Sequence, residues 1–190
     1  MKNVITIATL LCCVACGQPN TETATETKTE KATVEKVAGW KNFAKDNYTI
    51  QYPSDWTLDE SGSMGTSFFL FSPIESETDK FKENINLLIQ NLAGQNLDLD
   101  KYTAISEEQI KTLMQGAEIV ESKRIKTGSD EYHKLIYSGY QEANHLQFEQ
   151  YYRIIGDKAY ILTFSSEKDK FASTAPLGEK IMNTFLLGKQ

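Results

Sequence analysis

The hydrophobic pattern from residue 48 onward begins with strands. Residues 48–52 alternate polar and apolar side chains with a period of two, which is typical of a half-buried strand, and Pro53 ends it. Residues 56–58 fit the start of a second strand. Dense apolar runs at 66–71 and 85–92 predict two more strands, and we expect the second run to be a covered strand in the centre of a sheet.

Helical spacing appears twice. In the first predicted helix the apolar side chains recur three to five positions apart, at Tyr102, Ile105, Ile110 and Leu113. We expect this helix to start near Asp98 or Asp100, whose charge suits a helix N-terminus, and to stop at Gly116. The last helix has Pro176 in its first turn. Its apolar stripe is Leu177, Ile181 and Phe185.

Between the two helices the alternation returns. Three or four strands are predicted, at 119–125, 132–141, 146–155 and 160–164. Turns at Glu142-Ala143 and Gly156-Asp157 join the last three of them as tight hairpins. This order of elements predicts an α+β fold, in which helices pack on an antiparallel sheet.

The N-terminal residues follow a different pattern. Residues 4–15 form an apolar run after a short positive segment, and as a helix the run would span only about 18 Å, whereas a bilayer core is about 30 Å thick. We therefore interpret residues 1–15 as a signal peptide. The end of the run, Cys13-Val14-Ala15-Cys16, resembles a bacterial lipoprotein signal, although Cys13 stands where an aliphatic residue is usual. The resemblance implies cleavage before Cys16 and a lipid on its sulfur; the alternatives are a plain signal peptide cut elsewhere and a short buried helix.

We interpret residues 16–39 as the lipidated cysteine followed by a tether. Threonine alternates with Glu, Lys and Ala in this segment, and all twenty aromatic residues lie at or beyond Trp40. Because such a segment buries little apolar surface, we expect it to be disordered, with a span of roughly 26 Å. Residues 40–190 then form the globular domain. That domain holds no cysteine, which suits an oxidising envelope. Gly17 follows Cys16, and by resemblance to bacterial lipoproteins, in which Asp at this position signals retention at the inner membrane, we expect the periplasmic face of the outer membrane.

Three stretches of the domain resemble the PsbP-like and DcrB-like superfamily, to which a Ran-binding nuclear import factor also belongs. They are residues 48–56, with Tyr-Pro-x-x-Trp at their end, residues 105–110, and residues 156–185. The resemblance implies a sheet of six or seven antiparallel strands flanked by helices. It also implies no catalytic residues and no cofactor, because the members of known function mostly bind other proteins.

Charge and motifs exclude several classes of function. The net charge of −6 and the pI near 5.1 argue against nucleic acid as a partner, since phosphates require a basic face. Residues 61–65 have the composition but not the spacing of a serine-hydrolase elbow, and no phosphate-binding loop occurs. Pairing Gln141 with Asn144 would place His133 and His145 more than about 20 Å apart, each facing solvent, so a two-histidine metal site is not expected.

The remaining candidates for chemistry are surface groups. Residues 75–79 are acidic and invite a calcium site, but Lys80 stands where an EF-hand needs glycine. A basic cluster of Lys123, Arg124 and Lys126, with Lys134 beside it, either protects a sheet edge or binds a partner. Among the tyrosines of the strands, Tyr137 and Tyr140 complete the candidate binding residues, with core packing as the alternative.

These observations lead to one functional hypothesis and one alternative. The hypothesis is an envelope lipoprotein, anchored to a membrane through Cys16, whose domain binds another protein or assembles a complex without catalysis. The alternative is a carrier of a small ligand or cation, held in a pocket between the sheet and the helices.

Overall fold

The computed structural model describes residues 35–188 apart from residues 78, 80 and 129. The described residues form ten strands, two α-helices and a short 3₁₀ helix at Ser63–Gly65. In chain order the elements are β1 (Trp40–Lys45), β2 (Tyr48–Pro53), β3 (Thr57–Asp59), β4 (Phe68–Phe71), β5 (Asn84–Asn91), α1 (Leu99–Leu113), β6 (Gln115–Thr127), β7 (Asp130–Gln141), β8 (Asn144–Ile155), β9 (Lys158–Glu167), α2 (Lys168–Met182) and β10 (Leu186–Leu187). The predicted signal peptide, Cys16 and nearly all of the tether lie outside the described residues.

The strands form two antiparallel sheets. The larger sheet has seven strands in the order β3-β4-β5-β9-β8-β7-β6, and the smaller one has three in the order β1-β2-β10. The α+β class and the seven antiparallel strands agree with the sequence-based expectation. The strand predicted at 48–52 is β2, which belongs to the smaller sheet, and the expectation did not include β1.

Alternating side chains give the large sheet two apolar faces. Even-numbered residues of β9, such as Leu162, join a cluster with β2, β4, β5 and α2, whereas odd-numbered ones, such as Ile161, join a second cluster with α1 and β7. The order of layers is therefore α2 and the small sheet, the large sheet, and α1. None of the helices among the described residues is long and apolar enough to span a membrane.

The hairpin of β7 and β8 has the predicted register. Gln141 pairs with Asn144, His133 pairs with Tyr152 and His145 pairs with Tyr140. The two histidines therefore lie at opposite ends of the hairpin, as predicted. However, His133 is 8% exposed and not on the surface, because α1 covers that face of the sheet.

Both helices differ from their predicted limits. The Asp98 carboxylate caps α1 by accepting a hydrogen bond from the Lys101 backbone N–H at 2.8 Å, as its sequence position suggested, but the helix ends at Leu113, and Gly116 lies in β6. The placement of Pro176 in the first turn of α2 was wrong, since the helix begins at Lys168 directly after β9. Phe185 is buried beyond the helix end, not on its stripe.

Candidate functional site

The five candidate binding residues do not form one surface. Lys123 pairs with Lys134 across the strands, whereas Arg124 pairs with His133, so their side chains lie on opposite faces of the sheet. Arg124 forms ion pairs with Asp100 of α1 and with Glu131.

Of the other three, Lys126 is exposed and shares the face of Arg124. Tyr137 is buried in the core, where burial raises the pKa of its hydroxyl, and Tyr140 is 43% exposed at the end of the hairpin.

Lys134 is part of a buried ionic cluster on the α2 side. Its ammonium lies 2.9 Å from a carboxylate oxygen of Glu149, which is 1% exposed, and it also bonds Glu179 of α2. Burial raises the pKa of Glu149, and the neighbouring ammonium opposes that rise. The cluster fastens α2 to the sheet, so Lys134 is no member of a surface basic patch.

A second polar cluster connects α1 to the sheet and includes a serine and a histidine. The Ser122 hydroxyl of β6 donates to Glu107 of α1 at 2.5 Å and lies 2.8 Å from Nε2 of His133 on β7. Since the carboxylate only accepts, the hydroxyl proton is committed to Glu107 and Nε2 of His133 is the donor to the serine.

This direction of hydrogen bonding is the reverse of a nucleophile–base pair. A histidine that activates a serine accepts the hydroxyl proton and donates from its other nitrogen to a carboxylate. Among the described residues, Nδ1 of His133 has no hydrogen-bond partner. Burial and the nearby Arg124 lower the pKa of His133, which keeps its ring neutral at pH 7. The cluster therefore has the features of a structural link between α1, β6 and β7.

In the acidic loop at residues 75–79, the Asp79 carboxylate is already bonded to other groups of the chain. Asp79 is nearly buried, and its two carboxylate oxygens accept from the Lys170 ammonium at 2.6 Å and from the Glu75 backbone N–H at 3.1 Å. These bonds hold the pKa of Asp79 below its usual value. Within the part of the chain that the structure describes, no three Asp, Glu, His or Cys side chains converge as metal ligands.

A groove of about 560 Å³ lies where the end of α1 meets the end of the β7–β8 hairpin. Its apolar lining is Ile110, Leu113, Met114, Tyr137, Tyr140 and Phe148. Three polar residues, Gln109, Gln141 and Glu142, complete the lining. The groove is open to solvent.

The floor of the groove depends on two close approaches. A side chain on Gly139 would meet the Met114 sulfur at 2.4 Å, so the absence of one there lets Met114 lie against the sheet. The Tyr137 ring stacks on Phe148 with centroids 4.9 Å apart. Tyr140, which also lines the groove, stacks on His145 with ring centroids 4.4 Å apart. The groove is thus built of well-supported apolar side chains.

Leu113 at the rim of this groove is a residue whose exposure the sequence pattern did not show. The pattern grouped it with the other periodic apolar residues of α1, but it is 79% exposed, and Ile105 is 45% exposed. Tyr102 and Ile110 of the same pattern pack against the second apolar cluster. The signal that was available is its position in the last helical turn, three residues before Gly116.

The chain belongs to the PsbP-like proteins. A family model described as PsbP-like protein matches residues 3–186, which is nearly the whole chain. No curated protein matches the chain in sequence.

Several solved structures share the fold. The solution structure of CyanoP, the cyanobacterial PsbP of Synechocystis sp. PCC 6803, superposes with a TM-score of 0.57 at 16% identity, covering 84% of this chain and 98% of that one. LpqN of Mycobacterium tuberculosis, described as involved in cell envelope biogenesis, gives a TM-score of 0.59 at 12% identity over 79% and 91% of the two chains. A Pseudomonas aeruginosa protein of unknown function gives 0.57 at 12% identity over 80% and 98%. At these identities the likeness concerns the fold alone.

Proposed function

We propose that this PsbP-like chain is a lipid-anchored protein of the cell envelope whose domain binds another protein without catalysing a reaction. The observation that carries the proposal is the groove at the end of α1, where Leu113 and Tyr140 expose apolar surface beside a preformed floor. Interfaces place large apolar or aromatic anchors in such recesses, surrounded by a polar rim. Here the rim is Gln109, Gln141 and Glu142.

The location within the cell rests on the N-terminus. The apolar run before Cys16 supports export, and a lipid on that cysteine supports anchoring, with the tether holding the domain near a membrane-bound partner. LpqN, which has a similar fold, is described as involved in cell envelope biogenesis. We place this chain on the periplasmic face of the outer membrane.

The non-catalytic part of the proposal rests on the polar clusters. Ser122 is committed to Glu107, Lys134 to two carboxylates, and Asp79 to Lys170, so the polar groups of each cluster are already bonded to one another. In none of these bonds does a base accept the proton of a nucleophile, which is the arrangement that nucleophilic catalysis requires.

A carrier of a small apolar ligand is the second candidate, and the groove volume favours it. Ligand pockets usually start at about 300 Å³, and the groove exceeds that volume. Such pockets also enclose most of the ligand, whereas this groove is open to solvent, so we rank the carrier second.

Site-specific photo-crosslinking in cells tests the proposal. A photoreactive residue at position 113 of the anchored chain is expected to link to one distinct protein, whereas the same residue at position 64 is expected not to. Met64 is the matched control because it is 78% exposed, almost the same as Leu113, and lies in the short 3₁₀ helix between β3 and β4.

Binding of the purified partner supplies the second measurement. Tyr140→Ala is expected to weaken it at least about tenfold, since each tenfold step corresponds to about 1.4 kcal/mol, while Met64→Asp leaves it unchanged. Equal crosslinking at both positions, or none at 113, would overturn the proposal. A small molecule that copurifies with the native chain and is lost in Leu113→Asp would establish the carrier instead.

A further inference from the structure

Strand β6 is a long edge strand of the large sheet. It has thirteen residues, Gln115–Thr127, and comes last in the strand order, with β7 on its inner side. An edge strand presents backbone N–H and C=O groups that another strand can pair with. Val120, near the middle of β6, is 54% exposed.

The half of β6 from Glu121 onward is regular enough to accept a further strand. Residues Glu121 to Thr127 pair with β7 one to one, whereas the pairing shifts between Ile119 and Glu121. The regular half begins with a negative residue followed by positive ones, Glu121, Lys123, Arg124 and Lys126. A strand with this order of charges is complementary to itself when it runs antiparallel to a second copy.

We propose that two copies of this chain pair through β6, antiparallel, about a two-fold axis at Ser122. In this register Glu121 of each copy lies opposite Lys123 of the other, on the same face of the sheet. The pairing between copies is one to one over Glu121, Ser122 and Lys123, because the shift at Val120 lies directly beyond these residues in each copy. The two seven-stranded sheets continue into one another across the axis.

The charges select this register from its neighbours. In an antiparallel pair about a two-fold axis perpendicular to the sheet, the residue on the axis faces itself. An axis at Glu121, Lys123 or Arg124 sets two like charges directly against each other, which is unfavourable. An axis at Ile125 brings Arg124 against Lys126. An axis at Ser122 places a neutral residue against itself and sets Glu121 against Lys123 on both sides. No other axis position from 121 to 125 has both features.

The two-fold axis leaves the groove free. Tyr140 pairs with Gln115 at the far end of β6, so the proposed partner site lies away from the axis at Ser122. The self-pairing does not depend on the proposed function.

Sedimentation equilibrium on the full chain carrying Cys16→Ser tests the pairing. The experiment is done under reducing conditions, so that Cys12 and Cys13 cannot link the copies. We expect a concentration-dependent dimer. Lys123→Glu or Glu121→Lys alone sets like charges together and should shift the midpoint of dimerisation at least about tenfold upward, about 1.4 kcal/mol. The double variant Glu121→Lys/Lys123→Glu should restore it.

Controls keep the result specific to this strand. Lys82→Glu makes the same change in net charge at an exposed position outside β6 and is expected to leave dimerisation unchanged. Carbodiimide crosslinking of isotope-labelled and unlabelled chains should yield a mixed peptide that joins Glu121 to Lys123. A monomer at all soluble concentrations would overturn the proposal. A dimer that the single reversals leave intact, or one that the double variant fails to restore, would do the same.

Discussion

The Lys134 side chain is directed into the interior of the domain and not toward its surface. Its neighbours along β7 are His133 and Leu135 on the other face, so alternation turns Lys134 toward α2. There its ammonium meets Glu149, whose carboxylate is buried, and Glu179. A buried carboxylate depends on its partner, because without the partner its desolvation is uncompensated.

Lys134→Met is therefore expected to destabilise the fold by about 3 kcal/mol, because it leaves Glu149 buried without its counter-ion. Adding Glu149→Gln removes the charge, so the double variant should be more stable than Lys134→Met alone. Urea unfolding followed by circular dichroism measures both differences.

Lys168→Met is the matched control for this prediction. It breaks an exposed ion pair with Glu118, 3.4 Å apart, and pairs of that kind contribute about 1 kcal/mol or less. If Lys134→Met cost no more than Lys168→Met, the buried cluster would not stabilise the fold as described.

At the scale of elements, α2 is held close to the sheet by a residue without a side chain. Gly178 is buried, and a methyl group added there would meet ring atoms of Phe164 on β9 at 2.8–2.9 Å. An alanine at a helix position ordinarily gains about 1 kcal/mol over glycine. Here that gain competes with the clash.

We expect Gly178→Ala to lower the melting temperature, because overpacking costs about 1–3 kcal/mol and outweighs the helix propensity. Ser173→Ala on the exposed side of α2 is the control, and it should change stability by no more than about 0.5 kcal/mol. A more stable Gly178→Ala would mean that α2 moves away from Phe164 at little cost.

The elements also show what the sequence predicted and what it did not. The β7–β8 register followed from a two-residue turn, where Glu142 takes a φ of 55°, and from alternation on both sides. The start of α2 did not follow, because the proline preference for a first turn favoured residue 176 over the polar residues that open the helix. Periodicity shows which residues share a face; whether another layer covers that face, as at His133 or Leu113, depends on tertiary packing.

At the scale of the whole molecule, one apolar cluster lies on each face of the large sheet. The groove lies on the α1 side of this sheet, and β6 lies at its edge. The α2 face is closed by the small sheet, through residues such as Phe43 and Ile50. Accordingly, both proposed surfaces lie away from the small sheet. The proposed function requires the domain to be held beside its partner, so the proposed anchor matters as much as the proposed surfaces.

Cys16→Ser is expected to release the chain from the membrane after secretion, because it removes the sulfur that carries the lipid in our proposal, and acyl chains bind a membrane with about 0.8 kcal/mol for each buried CH₂. Fractionation into membrane and soluble protein measures this. Cys12→Ser, which changes a cysteine within the predicted signal peptide, should leave the chain in the membrane fraction. Were the Cys16→Ser chain still fully membrane-bound, the anchor would lie elsewhere, and the partner would have to be sought without assuming that a lipid holds the domain beside it.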